Sequence, residues 1–262
     1  MSGSVLILDA AGPLGRGVLE VALAQRRPVI AVSEDPDAVR ALAARHPDAN
    51  LAIVEGGIGD EAKAASLADA LRGLDRAIAG VVLAQCSEPR RSRALDLRAE
   101  DFQRLLEADL VPQLAAARHL VPVLAAAGRN AGYVVIGSPG SEHPWVGYGA
   151  RSVAASAVSM LVRVLHEEAR ALGVRVQLLA VTRPVRTEVN RDCSCEGWPD
   201  ISAIAAQALE LIDQLDPRVA TAAIVPFARL PSVPYPRPSR DRRSARVLTQ
   251  FASHDRNQEE LP

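Results

Sequence analysis

The chain has 262 residues, of which 48% are hydrophobic and 3% aromatic, and its formal net charge is −1. This length and hydrophobic content suit one α/β domain with a large core. The balanced charge and the few aromatic residues argue against nucleic-acid binding, which uses basic patches and stacking rings. No apolar run approaches a membrane span, and the N-terminus lacks the features of a secretory signal. We therefore expect a cytoplasmic protein without a membrane partner.

The three cysteines, Cys86, Cys193 and Cys195, are too few and unevenly spaced for a disulfide framework. Cys193 and Cys195 form a Cys-x-Cys pair. A zinc site needs four protein ligands, or three with a water, so this pair alone is insufficient. We predict no metal site.

A glycine-bearing turn follows the first predicted strand. The strand covers residues 5–8, the turn residues 9–17, and a helix runs from residue 18 to about 24. This order opens a dinucleotide-binding unit, in which glycines let backbone N–H groups approach a pyrophosphate at the helix N-terminus. Gly12, Gly15 and Gly17 are the candidate cofactor-binding glycines.

Two more strands, 29–32 and 51–54, alternate with helices 36–45 and 61–74. Glu34 follows the second strand, where an acidic residue can accept a hydrogen bond from an adenosine ribose and repels a 2′-phosphate. A solvated loop that opens the next helix explains Glu34 equally well. If a cofactor binds, Glu34 favours NAD over NADP.

The alternation continues to residue 227. A fourth strand near 79–86 is followed by a helix from about 100 to 127, whose apolar stripe contains Phe102, Leu105, Leu106, Leu110 and Leu114. Later elements are strand 133–136, helix 149–172, strand 174–181, helix 201–215 and strand 222–227. The series predicts a Rossmann-type α/β fold: a doubly wound, mostly parallel sheet with helices on both faces.

Residues 228–262 differ in composition from the rest of the chain. Four prolines, at 231, 234, 236 and 238, alternate with arginines, and acidic residues follow near the end. This composition predicts an extended Pro/Arg-rich tail that is solvated or binds a partner.

Ser138 follows the fifth strand, and Tyr148 stands just before a helix rich in small residues. This arrangement resembles the active site of the short-chain dehydrogenase/reductase (SDR) family, and the resemblance extends over nearly all of residues 5–227. It implies that Tyr148 exchanges a proton with the substrate and that Ser138 holds the substrate oxygen. It also implies that Ile58 contacts adenine and Thr187 the nicotinamide. An ordinary helix-start residue is the alternative for Tyr148.

The chain departs from the family pattern at the catalytic positions. The family's lysine, one helical turn after the tyrosine, is Ser152 here, and its asparagine in the long helix is Asp109. A free tyrosine has a pKa of about 10, and a cation on the same helix face lowers it. Ser152 supplies no charge, and Arg151 should point away from Tyr148.

The cofactor positions depart as well. If Gly15 and Gly17 are the later pair of the turn, its first glycine has become Ala11; if Gly12 and Gly15 are, it has become Asp9. The remaining departures are Gly57, Leu83 to Cys86, and Thr182-Arg183. The hydrophobic framework is kept, so we predict no cofactor or weakly bound NAD.

These departures predict a non-catalytic SDR-fold subunit, inactive alone, that pairs with an active homologue through helices 100–127 and 149–172. Inactive chains have this role in heteromeric SDRs that act on hydroxyacyl-CoA substrates, such as 2-(α-hydroxybenzyl)succinyl-CoA dehydrogenase. The predicted face of the second helix comprises Ala150, Val153, Ala154, Ala157, Val158 and Leu161. One alternative is an NAD-dependent alcohol/ketone oxidoreductase in which Asp109 or Arg151 replaces the cation. Another is a small-ligand sensor.

Overall fold

The computed structural model describes residues 3–85, 91–127, 131–214 and 222–227. Within them lie seven strands: β1 (Ser4–Leu8), β2 (Val29–Ser33), β3 (Leu51–Glu55), β4 (Ile78–Leu83), β5 (Ala131–Ile136), β6 (Val174–Ala180) and β7 (Ile224–Pro226). They form one sheet in the order β3-β2-β1-β4-β5-β6-β7, and every neighbouring pair is parallel. The predicted Rossmann-type fold is confirmed.

Helices cover both faces of the sheet. The described residues contain α1 (Pro13–Ala24), α2 (Pro36–Ala43), α3 (Glu61–Arg72), α4 (Ala99–Asp109), α5 (Val111–Ala127), α6 (Gly149–Arg170) and α7 (Ile201–Asp213). One core lies between the sheet and α1, α2 and α7; the other lies beneath α3, α5 and α6. Because both faces are covered, β1, β2 and β6 are buried along their whole length.

The predicted single helix over residues 100–127 is two helices. α4 ends at Asp109, and α5 begins at Val111. Pro112 lacks an N–H group, so it cannot donate to the carbonyl of residue 108, and the helical hydrogen-bond series is interrupted there. The interruption places Asp109 at the end of α4, where its carboxylate meets Arg151 of α6.

By length and hydropathy alone, the stretch Ala99–Ala127 could cross a membrane. Of its apolar window, 44% is buried in the structure. Ala116, Leu120 and Leu124 of α5 lie in the core beneath the sheet. A buried core helix of an α/β domain passes the same length and hydropathy test, and α5, the more buried part of this stretch, is such a helix.

The predicted tail 228–262 and Cys86 lie outside the described residues. The domain boundary near residue 227 therefore stays a prediction. Most predicted element boundaries agree with the structure within about three residues; the main difference is α1, which begins at Pro13 rather than at residue 18. Proline is favoured in a first helical turn because its fixed φ suits the helix and no N–H is required there.

Gly17 lies where α1 crosses α7. A Cβ at this position would overlap Cγ1 of Ile201 and lie 2.9 Å from its Cγ2. The absence of a side chain at Gly17 therefore allows the two helices to pack closely. This packing explains the glycine at position 17, which the sequence alone had indicated as a cofactor-binding residue.

We expect Gly17→Ala to destabilise the fold by about 1–3 kcal/mol, the usual cost of overpacking a core. Combining it with Ile201→Ala should give a loss smaller than the sum of the two single losses, because the clash is removed. Gly73→Ala is the control: Gly73 has a right-handed φ of −77°, and the nearest atom to an added Cβ is 3.4 Å away. Urea unfolding measures all four variants, and strict additivity would contradict the packing role.

Candidate functional site

The carboxyl ends of the parallel strands form one edge of the sheet. Residues that the sequence analysis discussed for the site follow five of the strands there. They are Asp9 after β1, Glu34 after β2, Ile58 after β3, Ser138 after β5 and Thr187 after β6. The strand order reverses between β1 and β4. Open α/β sheets bind ligands at this reversal, outside the carboxyl ends of the strands.

Asp9 stands directly after β1 with a φ of +57°, in the left-handed region. Glycine adopts this conformation without strain, and Asp and Asn are the side-chain-bearing residues that tolerate it best. Among the described non-glycine residues, positive φ is found only at Asp9 and Arg26. Of the two alternatives, Asp9 or Ala11, the geometry favours Asp9 as the residue in place of the first glycine.

Gly12 and Gly15 belong to the same turn as Asp9. A Cβ on Gly15 would overlap the Asp9 carbonyl oxygen, and a Cβ on Gly12 would overlap the Asp9 carboxylate. Gly12 is also the N-cap of α1, and its N–H donates to the Asp9 carbonyl at 3.0 Å. These two glycines shape the turn, whereas Gly17 serves the packing of α1 on α7.

The surroundings of the Asp9 carboxyl disfavour its ionised form. Burial, followed by the negative charge of Glu34, raises the pKa of Asp9 from 3.8 to about 6, and a hydrogen bond from the Gly12 backbone opposes this. Glu34 in turn accepts a hydrogen bond from Lys63 of α3, Nζ to Oε1, at 2.6 Å. Glu34, proposed from the sequence to meet a ribose, is thus held by the only lysine of the chain.

A dinucleotide does not fit this turn as it stands. At neutral pH the Asp9 carboxylate lies against Gly12, at the helix N-terminus where the pyrophosphate of such a cofactor binds. Pro13 has no N–H to offer a phosphate. A cofactor phosphate would therefore meet a carboxylate where it needs a backbone donor.

Ile58 and Thr187 are both buried, with exposed fractions of 5% each. Ile58 packs into the core beneath α3 and α5. The backbone N–H of Thr187 donates to Oδ1 of Asn190 at 2.8 Å, and Nδ2 of Asn190 donates to the Val185 carbonyl at 2.9 Å. The segment that should contact a nicotinamide is thus closed on itself by Asn190, a residue that the sequence did not single out.

Ser138 lines a small cavity among α4, α5, α6 and the end of β5. The cavity has a volume of about 40 Å³, and its polar lining includes Gln85, Asp109, Gln113 and Arg151. Arg151 and Asp109 form an ion pair at 3.7 Å, with side-chain exposures of 7% and 14%. A water needs about 10–15 Å³ by this kind of measure, so the cavity suits a few waters rather than a metabolite.

Tyr148 is the N-cap of α6, and its ring stacks on Trp145 with centroids 4.0 Å apart. Its backbone is fixed by an isolated bridge to Ser92, whose carbonyl accepts from the Gly149 N–H at 3.0 Å. The two predicted catalytic residues thus have different surroundings: Ser138 faces the cavity, and Tyr148 packs on an aromatic ring.

Ser152 closes the loop before α6. Its hydroxyl accepts from the Trp145 N–H at 2.9 Å and donates to the Tyr148 carbonyl at 3.0 Å. The side chain is 7% exposed, and Gly140, with a φ of +98°, packs directly against it. A lysine in this place would have to displace the 140–145 backbone.

The sequence profile of a family described as enoyl-(acyl carrier protein) reductase matches residues 15–197, most of the chain. The chain belongs to the short-chain dehydrogenase/reductase family. No curated protein matches the sequence significantly. SDR membership agrees with the observed Rossmann-type fold.

Solved SDR structures resemble this chain in fold at low sequence identity. A short-chain dehydrogenase/reductase from Mycobacterium ulcerans has 19% identity and a TM-score of 0.72, over 86% of this chain and 88% of its own. A short-chain oxidoreductase from Pseudomonas aeruginosa PAO1, described as containing an atypical catalytic center, has 18% identity and a TM-score of 0.74 in its apo form, over 88% and 98%. Its NADPH-bound form has 19% identity and a TM-score of 0.72 over the same shares.

Three features of this SDR site could not be found from sequence patterns. They are the Arg151–Asp109 pair, the Lys63–Glu34 pair and the Trp145–Tyr148 stack. The residues of the two ion pairs stand 42 and 29 positions apart in the sequence, so only the tertiary structure shows that they meet. For the Lys63–Glu34 pair, the sequence shows only that Lys63 is the single lysine of the chain, and this does not identify its partner.

We expect Asp9→Asn to stabilise the fold at neutral pH. Because the pKa of Asp9 is raised from 3.8 to about 6, the folded state binds its proton more tightly than the unfolded state does. The contribution of Asp9 to the free energy of unfolding is therefore most favourable below about pH 4, and it is lost as the pH rises through about 6. The stabilisation should be on the order of 2 kcal/mol at about pH 7.5 and near zero at about pH 4. Urea unfolding at both pH values measures it, and equal effects at both would contradict the electrostatic cause.

We expect Ser152→Ala to loosen the loop between β5 and α6 and to cost about 1 kcal/mol, because the partly buried Trp145 N–H loses its acceptor. Hydrogen exchange at the Trp145 amide should accelerate. Ser156→Ala is the matched control, since the exposed Ser156 hydroxyl donates to the Ser141 carbonyl at 3.0 Å. If the two variants have equal effects on stability and exchange, Ser152 does not fix the loop.

Proposed function

We propose that this chain is a non-catalytic SDR subunit that pairs with an active homologous subunit. The observation that carries the proposal is the role of Ser152, which stands at the position of the family's lysine. Its hydroxyl is hydrogen-bonded to the Trp145 N–H and to the Tyr148 carbonyl and so fixes this turn. The neighbouring cation on α6, Arg151, is paired with Asp109. The Asp9 carboxylate in the glycine turn is an independent argument against cofactor chemistry in the isolated chain.

Exposed apolar side chains on α5 and α6 support a partner subunit. Val111 and Leu114 of α5 and Val153, Met160 and Val164 of α6 are each 44–60% exposed. Exposed apolar groups on helices that already pack together are suited to burial against a second pair of helices. The sequence-based choice of residues needs one correction: Ala150 and Ala154 are 0% and 1% exposed and lie inside this chain's own fold.

The proposed partner is an SDR with an intact tyrosine–lysine pair, and the proposed substrate class of the assembly is a hydroxyacyl-CoA. The cavity beside Ser138 has a volume of about 40 Å³, which is small beside such a molecule. Substrate would therefore bind in the partner's site, and this chain would stabilise or shape that site.

A second candidate function is an oxidoreductase with an altered relay. The specific observation in its favour is that Ser138, Asp109 and Arg151 line one cavity. The Pseudomonas aeruginosa relative is itself described as having an atypical catalytic center. Saturable, low-micromolar NADH binding and turnover by the isolated chain would favour this function.

Purification of the natively expressed chain tests the pairing. We expect an SDR with a complete Tyr-x-x-x-Lys pair in equal amount, seen by native mass spectrometry. Val153→Glu and Met160→Glu should weaken the assembly at least about tenfold, because each buries a charge in the interface. Val189→Glu, at a 72% exposed position in another segment, is the control and should change nothing. A homogeneous homodimer that resists both α6 variants would contradict the proposal.

Restoring the lysine tests the loss of catalysis separately. We expect Ser152→Lys alone to give no NADH-dependent turnover of carbonyl compounds, because the glycine turn still carries Asp9. Absorbance at the nicotinamide band follows the reaction, and unfolding with urea checks that the variant is folded. Appreciable turnover by this variant would show that a single residue separates the chain from an active enzyme, against the proposed role.

A further inference from the structure

The turn after β1 contains an acidic side chain, that of Asp9. Asp9 has a left-handed φ of +57°, a conformation that glycine adopts without strain and that Asp tolerates. The residue differs from glycine in having a carboxylate. The position of that carboxylate decides what the turn can bind.

The carboxylate lies against Gly12, the N-cap of α1. The Gly12 backbone also donates a hydrogen bond to it, which opposes the rise of the Asp9 pKa. Gly12 has no side chain to cap the helix, and Pro13 has no N–H. Few donors remain in the first turn of α1, and Asp9 takes one that a pyrophosphate would use.

The charge around Asp9 strengthens the exclusion of a phosphate. Glu34 is an acidic neighbour whose charge acts on Asp9, and its own side chain is exposed and paired with Lys63 at 2.6 Å. A pyrophosphate would add negative charge beside the partly buried Asp9 carboxylate. Like charges repel more strongly where burial reduces the screening by water.

We propose that the Asp9 carboxylate is a built-in substitute for the cofactor pyrophosphate, and that its presence keeps this chain from binding NADH. The inference deepens the proposed non-catalytic function by naming the group that excludes the dinucleotide. The glycine turn itself is intact in shape. The Glu34 carboxylate remains after β2, so a dinucleotide admitted by removal of Asp9 should be NADH rather than NADPH.

Isothermal titration of the full-length chain with NADH and with NADPH tests this directly. The wild type should show no saturable binding, and Asp9→Gly should bind NADH at least about tenfold more tightly than it binds NADPH. Asp9→Asn keeps the side-chain size and tolerates positive φ but removes the charge. Asp35→Asn is the matched control: it removes one charge from the same edge of the sheet and keeps an N-cap for α2. The control should not bind NADH.

Binding by Asp9→Gly alone supports exclusion by the volume and charge of the carboxylate; binding by both Asp9 variants supports exclusion by charge. If neither variant binds while both unfold cooperatively like the wild type, the inference is wrong, and the proposed non-catalytic function is unaffected. Saturable NADH binding by the wild type without turnover also overturns the inference alone. NADH-dependent turnover by the wild type overturns the proposed function as well.

Discussion

Parallel pairing of all seven strands is the constraint on which the site depends. It requires a crossover between successive strands and brings the carboxyl ends of the strands to one edge. Residues that are far apart in the sequence, such as Asp9 and Ser138, therefore reach the same edge. Since helices cover both faces, the ends of the strands are where a ligand can reach the sheet.

At this edge, several polar groups are engaged by other groups of the same chain. Glu34 is held by Lys63, and the Thr187 N–H is held by Asn190. In the same way, Ser152 links the loop before α6 to its first turn. The contacts of Thr187 and Ser152 satisfy polar groups that are buried or partly buried, and this stabilises the local arrangement. The Lys63–Glu34 pair is exposed and contributes little to stability.

The substitutions at the site do not disturb the framework beneath it. Asp tolerates the positive φ of a glycine position, and Ser152 fits against Gly140 where a longer side chain would not. Arg151 is buried on α6 beside the Asp109 carboxylate, so its charge is paired. The residues at positions 9 and 152 are thus accommodated locally, and the fold is kept around both.

The sequence by itself determined the alternation of strands and helices, the parallel sheet and the positions of Ser138, Tyr148 and Ser152. These follow from local periodicity and from residue order, which need no contact between distant segments. Tertiary structure showed the positive φ of Asp9, which favours Asp9 over Ala11 as the residue in place of the first glycine and is not visible in a sequence. It also showed that Gly17 packs on Ile201 and that Pro112 divides the helix over residues 100–127. Such features depend on which side chains meet across the fold, and a pattern along one chain carries no information about those distances.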